Sequence, residues 1–383
     1  MTCYCEKGLI VLYFPITLFL IVLSISSYIL LRRNEKKEKQ RALTLCFYVC
    51  FLLLLTFLMV NTLFTHYYTS LKPYLTPFNA KNCHAEMNEN IDVVIPWVNS
   101  ITDETWTSKK EKYLGNETND NTRLPTKGDP ELELRESLRL IHKNLKFIKK
   151  TFIVTMRPQV PTCLETFISM GMNVYVVHHD EFIPPSLLPT FNALVIERYL
   201  NKILPLSEKF IYFNDDIYTI KKLNPDYFFT CDSKPIIRLN PFLSMALSYN
   251  LPTSASKYAS ACRKTLKKSK FPVIANDHGP QALTKSMFDI LNEEQIKIMA
   301  NKGLYRFRHK DDFVALNFLF NEHLKRKNVI AYKNSILTHT TSFFESPPLT
   351  TQICSDAKVI CINSLDQNKI KDLKRFKMLM QKY

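Results

Sequence analysis

Two adjacent carboxylates, Asp215 and Asp216, follow Asn214 and a run of four aromatic or β-branched residues at 210–213. Such a run predicts a short, fully buried strand. Because open α/β sheets bind ligands beyond the carboxyl ends of their strands, this strand would carry the three polar residues to a ligand-binding edge. Oxygen ligands at that position suit Mg²⁺ or Mn²⁺ bound together with substrate phosphates. The alternative is a surface turn that merely ends the strand.

Two later stretches carry residues that act on phosphates. His278 lies in a predicted turn after the apolar run 271–275, where a histidine can serve as a general base or bind a phosphate. Arg308 lies in a charged run before a predicted helix, and its guanidinium suits phosphate oxygens. Asp311 and Asp312 either cap that helix or join the metal site. The simpler interpretation of each stretch, taken alone, is an exposed surface.

Other candidate site residues lie within predicted strands and helices or just before them. Asp92 begins the first predicted strand, where a lone acid commonly has a structural role. Arg135 and Arg139 lie one turn apart on a predicted helix, which is also typical of a solvated face. Asn192 follows Thr190 before another predicted helix. Thr190 is a candidate N-cap, and the free N–H groups of such a helix start can receive a phosphate.

Strands and helices alternate along residues 91–326, and this alternation predicts an α/β fold with a parallel sheet covered by helices on both faces. The helix that begins at Asp129 is an example, since Leu134, Leu138, Ile141 and Leu145 repeat at the spacing of one buried face. The predicted strands are 91–98, 151–155, 173–177 and 210–213, and the other predicted helices are 162–170, 191–204, 280–300, 311–326 and 366–382.

Two apolar runs, 9–31 and 43–64, are each long enough to cross a bilayer. The basic stretch 32–41 between them should stay in the cytosol. We therefore expect a transmembrane hairpin over 1–65, a polar stalk over 66–90, and a catalytic domain over 91–383 on the lumenal or outer side. A cleavable signal peptide is the alternative for the first run. Residues 99–128 should form an exposed loop with a glycosylation sequon at Asn116.

The 383 residues carry 51 Lys and Arg against 35 Asp and Glu, a formal charge of +16. This balance fits an anionic substrate, an anionic membrane or a nucleic acid. We do not expect nucleic-acid binding, because the basic residues are dispersed. The six glycines form neither a P-loop nor a dinucleotide-binding fingerprint. Six of the ten cysteines lie in the predicted catalytic part and could form up to three disulfides, with Cys354 and Cys361 as one candidate pair.

Several of these stretches, taken in order, resemble the Stealth family of sugar-phosphate transferases. That family includes the α/β precursor of N-acetylglucosamine-1-phosphotransferase and bacterial capsule polymerases. The resemblance covers about residues 91–364 and departs from the family pattern at Ser100 and Ser364. The matching blocks are DVVIPWVN at 92–99, ELRESLR at 133–139, FIVT at 152–155, LPTFN at 188–192, IE at 196–197, FIYFNDD at 210–216, HGP at 278–280, RHKDD at 308–312 and VICIN at 359–363.

The resemblance implies a nucleotide-sugar-binding, Rossmann-like sheet and the transfer of a sugar 1-phosphate from a UDP-sugar to an acceptor hydroxyl, with release of UMP. UDP-N-acetylglucosamine is the default donor. Asp216 and Arg308 would be catalytic, with Arg308 offsetting phosphate charge. His278 would take the acceptor proton or bind the phosphate, and we favour the base. The expected metal ligands are Asp215, Asp216 and Asp312, and the expected donor-binding residues are Asp92, Arg135, Arg139, Asn192 and Asn214.

The acceptor would be a glycan or a glycoprotein. The enzyme would lie in the Golgi, in another endomembrane or at the cell surface, and it could form a homo-oligomer. Two alternatives stay open. One is a metal-dependent glycosyltransferase, which would release UDP. The other is a catalytically inactive membrane protein that binds glycans and needs no metal.

Overall fold

The computed structural model describes residues 36–76, 90–114, 128–251, 256–266, 273–291, 305–332, 340–344, 357–363, 365, 367 and 369–383. The chain divides into two compact units, Met1–Pro73 and Tyr74–Tyr383. The first predicted membrane span, 9–31, and the sequon at Asn116 lie outside the described residues.

In the first unit, one long helix, α1 (Lys36–Leu71), covers the second predicted span. The segment Thr44–Tyr74 contains an 18-residue window with a mean hydropathy of 2.3 and is long and apolar enough to cross a membrane. It is the one helix of this kind in the part of the chain that the structure describes, and it corresponds to the second of the two expected spans. The loop predicted at 32–41 is wrong from Lys36 onward, because those basic residues already form the first turns of α1.

The second unit is built on β-strands, numbered here in chain order. They are β1 (Leu75–Thr76), β2 (Ile91–Pro96), β3 (Ile148–Thr155), β4 (Val174–His178), β5 (Lys209–Tyr212), β6 (Ile217–Thr219), β7 (Gln281–Thr284), β8 (Ala331–Tyr332), β9 (Thr340–Phe344) and β10 (Val359–Asn363).

The central sheet has five strands in the order β4-β3-β2-β5-β7. The first four are parallel, as the alternating pattern predicts, and β7 runs antiparallel to β5. A three-stranded sheet, β6-β10-β9, lies beside it, and β1 pairs with β8. The pairing of β1 means that residues 75 and 76, expected in a stalk, are hydrogen-bonded into the second unit.

The helices of this unit are α2 (Glu104–Leu114), α3 (Leu132–Asn144), α4 (Leu164–Ser169), α5 (Ala193–Arg198), α6 (Pro241–Ser248), α7 (Ser256–Leu266), α8 (Ala315–Lys325) and α9 (Ile370–Lys382). The predicted apolar face of α3 is confirmed, since its four residues are all buried in one core cluster with the sheet. Helix α3 therefore has a fixed position against β2 and β5.

Three predictions of local structure are wrong. Helix α2 occupies part of the predicted loop 99–128, and its Trp106 is buried. The helix predicted at 280–300 is instead strand β7 followed by the 3₁₀ helix Lys285–Ile290, and 292–304 lies outside the described residues. Helix α5 is capped by Asn192 rather than Thr190, because the Asn192 side chain accepts a hydrogen bond from Leu194 N.

Candidate active site

The turn that carries Asn214, Asp215 and Asp216 is held at the carboxyl end of β5. Phe213 N donates to Val94 O at 2.9 Å and so extends the pairing of β5 with β2 to the edge of the sheet. All three polar residues of the turn are half-buried. The predicted placement of the acidic pair at a ligand-binding edge is therefore observed.

Two further elements fix the backbone that follows the acids. Ser137 of α3 donates from Oγ to Ile217 O at 2.9 Å, and its side chain is fully buried. Ile362 N of β10 donates to Asp216 O at 3.0 Å. Because both bonds end within one residue of Asp216, the backbone that carries its carboxylate is held in place.

The acidic pair lies in a strongly negative, partly desolvated environment. Burial and the charge of Asp216 raise the pKa of Asp215 to about 7. Burial raises the pKa of Asp216 to about 6, although a hydrogen bond from the Cys361 thiol acts in the opposite direction. Among the described residues, no hydrogen-bond donor contacts the buried Oδ1 of Asp216. Carboxylate oxygens are the ligands that Mg²⁺ and Mn²⁺ accept, so two adjacent carboxylates, one with an oxygen that has no donor, fit such an ion.

Two more carboxylates belong to this environment. Burial and the charges of Asp215 and Asp216 raise the pKa of Glu133, on α3, well above its usual value. Burial raises the pKa of Glu197, on α5, to about 7, while Arg308 and the hydroxyl of Tyr212, which donates at 3.1 Å, lower it. Both glutamates lie within matching sequence blocks, yet sequence reasoning assigned them no role. Their neighbours in the chain give no sign that Glu133 interacts with the aspartates or Glu197 with Arg308.

His278 reaches the same edge because β7 is antiparallel. The residues that precede β7 lie where β5 ends, so the exposed His278 comes beside the acidic turn. Its Nδ1 is 3.4 Å from Sγ of Cys361. Desolvation by the surrounding protein lowers the pKa of His278, and the charge of Arg308 lowers it further, while Asp277 raises it. A neutral imidazole can accept a proton near neutral pH.

Cys361, on β10, is a further residue that sequence reasoning missed. It is a buried free thiol, so the candidate disulfide with Cys354 is wrong. Cys163 and Cys262 are free thiols as well, which leaves at most one disulfide among the six cysteines. Cys231 is disulfide-bonded. No spacing in the sequence indicates that Cys361 contacts a histidine 83 residues away.

The loop that carries Arg308 is anchored by the LPTFN block. Asn192 is fully buried, and its Nδ2 donates to Asp312 Oδ1 at 2.9 Å and to Tyr305 O at 3.0 Å. Asp312 also accepts from His309 N at 2.7 Å. The rings of Phe191 and Phe307 stack with centroids 5.1 Å apart. Asn192 and Asp312, expected to bind donor and metal, are thus occupied by each other and by the backbone of this loop.

This anchoring leaves the Arg308 side chain exposed. Its positive charge lowers the pKa of Glu197 and of His278, which places the guanidinium within electrostatic reach of both. Arg308 therefore acts electrostatically on both Glu197 of α5 and the histidine before β7. A phosphate bound there would meet both Arg308 and His278.

Three predicted donor-binding residues are not brought to this edge. Asp92 lies near the start of β2, aligned with Phe210, and accepts from Ser207 N at 2.7 Å, so it supports the opposite end of the sheet. Arg135 forms an ion pair of 2.9 Å with Asp129. Arg139 donates to Met380 O and to Glu136, so it joins α3 to α9. These contacts account for the three charges without a ligand.

Residues 129–237 match the family model "Stealth protein CR2, conserved region 2". The chain is 34% identical to the capsular polysaccharide phosphotransferase fcs1 of Haemophilus influenzae over 63% of this chain and 67% of that protein. It is 26% identical to the capsular polysaccharide phosphotransferase cps12A of Actinobacillus pleuropneumoniae over 73% of this chain and 78% of that protein.

Among solved structures, apo mouse xyloside xylosyltransferase 1 aligns with a TM-score of 0.36 and 12% identity, over 72% of this chain and 98% of that chain. A score this low does not establish a shared fold. The sequence matches are much stronger, and they cover the elements that carry Asp215, Asp216, Glu197 and Glu133. The chain belongs to the Stealth family and is a phosphotransferase.

Proposed function

We propose that the enzyme transfers a sugar 1-phosphate from a UDP-sugar to a hydroxyl of a glycan acceptor and releases UMP. The acceptor oxygen forms a bond to the sugar-bearing β-phosphorus, and the bond from that phosphorus to the bridging oxygen of UMP breaks. Such a displacement requires alignment of the two oxygens and neutralisation of phosphate charge. The convergence of Asp215, Asp216, Arg308 and His278 at one edge of the sheet is the observation that carries the proposal.

Asp215 and Asp216 would hold a Mg²⁺ or Mn²⁺ ion, with Glu133 and Asn214 nearby. A bound divalent ion supplies positive charge to the diphosphate oxygens. Asp312 is a positioning residue and not a ligand, since both of its carboxylate oxygens accept hydrogen bonds from the Arg308 loop and Asn192.

The remaining roles follow from charge and exposure. Arg308 stabilises the negative charge that the transferred phosphate carries in the transition state. His278, neutral near pH 7 because its pKa is lowered, accepts the proton of the acceptor hydroxyl at a ring nitrogen. Glu197 orients the guanidinium of Arg308 through opposite charge, supported by the Tyr212 hydroxyl.

The names of the relatives, which refer to capsular polysaccharide, support a saccharide acceptor. We propose a saccharide acceptor and UDP-N-acetylglucosamine as the first donor to test. The helix at Thr44–Tyr74 would anchor the enzyme in a membrane, with the catalytic unit in a lumenal or extracytoplasmic compartment such as the Golgi. Glycosylation of Asn116 in microsomes tests this placement, and digestion of the catalytic unit by protease added outside would contradict it.

The decisive experiment uses the detergent-solubilised enzyme, Mg²⁺, a panel of saccharides and UDP-N-acetylglucosamine labelled on the β-phosphate. We expect label in the acceptor, unlabelled UMP as the product, and loss of both in Asp216→Ala and His278→Ala. Asp232→Ala, an exposed residue paired with Lys234, is the control that should transfer normally. Labelled UDP with an unlabelled acceptor would instead establish a glycosyltransferase. Metal-independent saccharide binding without turnover of any UDP-sugar would indicate an inactive binding protein.

A further inference from the structure

Three side chains of different chemistry meet beside the acidic turn. A carboxylate oxygen of Asp216, a ring nitrogen of His278 and Sγ of Cys361 all lie within 4.8 Å of one another. They come from three separate elements, the turn after β5, the segment before β7 and strand β10. We call this set the oxygen–nitrogen–sulfur triad.

The triad differs in ligand type from the carboxylate pair that suits Mg²⁺. Thiolate sulfur and imidazole nitrogen favour Zn²⁺ and similar transition-metal ions, whereas Mg²⁺ requires oxygen ligands. Three protein ligands with a fourth position open to solvent is the arrangement found in accessible tetrahedral zinc sites. The exposure of His278 leaves such an open position at the triad.

The triad is also held in place, which a metal site needs. Ile362 N bonds the backbone of Asp216, and the neighbouring Cys361 is paired in register with Ile217. The Cys361 thiol already contacts both partners, through a hydrogen bond to the Asp216 carboxylate and through the 3.4 Å approach to Nδ1 of His278. Small side-chain rotations would bring all three atoms to metal-bonding distance.

We propose that Asp216, His278 and Cys361 form a binding site for one Zn²⁺ ion, or an ion of the same ligand preference, and that Zn²⁺ bound there inhibits transfer. The ion replaces the thiol proton of Cys361, which passes to solvent, and it occupies a nitrogen lone pair of His278 and an oxygen of Asp216. The inhibition rests on the proposed function, because it removes the base and one Mg²⁺ ligand together. The binding itself does not depend on that function.

Binding is tested by titrating the purified full-length protein with Co²⁺, which takes the same ligands as Zn²⁺ and reports on them spectroscopically. We expect a thiolate-to-Co²⁺ charge-transfer band in the near ultraviolet that saturates at one ion per chain and disappears when Zn²⁺ is added. Cys361→Ser should abolish the band, and His278→Ala, at an exposed position, should weaken Co²⁺ binding without unfolding the chain. Cys163→Ser, another buried free thiol, should keep the band.

A band that is absent, or that survives in Cys361→Ser, would overturn the site. Inhibition is measured separately, as the Zn²⁺ concentration that halves the transfer rate at fixed Mg²⁺. We expect Cys361→Ser to raise that concentration at least about tenfold, since the loss of an outer-sphere partner alone already costs 10- to 100-fold in metal affinity. Equal inhibition of both proteins would contradict the inhibitory role. A Co²⁺ band in a protein that transfers nothing would support the site and count against the proposed function.

Discussion

Nδ2 of Asn192 donates a 2.9 Å hydrogen bond to Oδ1 of Asp312, and both side chains are almost completely buried. The bond joins residues 120 positions apart, the cap of α5 and the end of the Arg308 loop. Since α5 also carries Glu197, this contact helps to set the distance between Glu197 and Arg308, together with the Asn192 bond to Tyr305 O and the stack of Phe191 on Phe307.

Asn192→Ala should therefore damage both stability and turnover. It leaves a buried carboxylate without its side-chain donor, which typically costs about 1–3 kcal/mol. It also frees the Arg308 loop, and a displacement of about 1 Å at a reacting centre can lower the rate about 100-fold. Urea unfolding and kcat are the two measurements, with Asn201→Ala in the adjacent turn as the control. Wild-type kcat in Asn192→Ala would show that the loop is positioned by other contacts.

Glu133→Gln should weaken the binding of Mg²⁺. The charge of Glu133 acts on the same space as Asp215 and Asp216, because those two carboxylates raise its pKa. Removing it reduces the attraction for a divalent cation. The Mg²⁺ concentration that gives half-maximal transfer should rise, while Glu136→Gln, one turn further along α3 and paired with Arg139, should match the wild type. An unchanged Mg²⁺ requirement would place Glu133 outside the metal environment.

The stabilisation of the fold by Mg²⁺ should increase with pH. The raised pKa values of Asp215, about 7, and Asp216, about 6, favour the folded state while both groups are protonated. That contribution is complete below the unfolded pKa near 4 and is lost as the pH rises through 6 and 7. Mg²⁺ binds only the ionised groups. The difference in melting temperature with and without Mg²⁺ should thus grow from about pH 5 to about pH 8, and Asp216→Asn should flatten the curve.

Arg308→Ala should lower kcat by about 10²–10³-fold, the usual effect of removing one charge-stabilising donor from a transition state. Arg308→Lys should recover part of the rate, because it restores charge but not the planar geometry of the guanidinium. Arg308 also lowers the pKa of Glu197, so that pKa should rise in Arg308→Ala. Arg157→Ala, which removes exposed ion pairs with Asp180 and Glu181, is the matched control. A change confined to KM would reassign Arg308 to donor binding.

Arg139→Ala distinguishes a structural role from the donor-binding role that the sequence suggested. The arginine joins α3 to the backbone of α9 at Met380. Its loss should lower the free energy of unfolding by about 0.5–1.5 kcal/mol and leave KM for the donor unchanged. Arg135→Ala, whose ion pair with Asp129 is largely exposed, should change stability by less than about 1 kcal/mol. A raised KM in Arg139→Ala at unchanged stability would restore the donor-binding interpretation.

The parallel strands, the buried face of α3 and the position of Asp215 and Asp216 were predictable because each depends on a local pattern of apolar residues. Strand β7 was not, since residues 281–284 contain only two apolar residues and such a short stretch does not distinguish a strand from a helix, so its pairing with β5 decides the outcome. His278 was singled out for its chemistry, but only the antiparallel direction of β7 explains how it reaches the acids.

Polar residues were harder to assign than apolar ones. Asn192, Asp312 and Asp92 have the residue types of ligands, yet each is already hydrogen-bonded to other groups of the protein. The opposite error was made for Glu133, Glu197 and Cys361, which were not predicted to belong to the site. The contacts that place them there are made between distant parts of the chain. A single sequence records which side chains can bind a phosphate or a metal, but not which of them are already bonded.

The antiparallel direction of β7 also has a consequence for folding. The acidic turn follows β5, whereas His278 precedes β7, so the two halves of the active site meet when β5 pairs with β7, with Tyr212 opposite Gln281. A partly folded chain that contains α3 and the four parallel strands would already present the carboxylates, but without the histidine. Non-local strand pairing of this kind is slow compared with helix formation. Recovery of transfer activity after dilution from denaturant should therefore lag behind recovery of helical signal, because activity requires the pairing of β7 with β5.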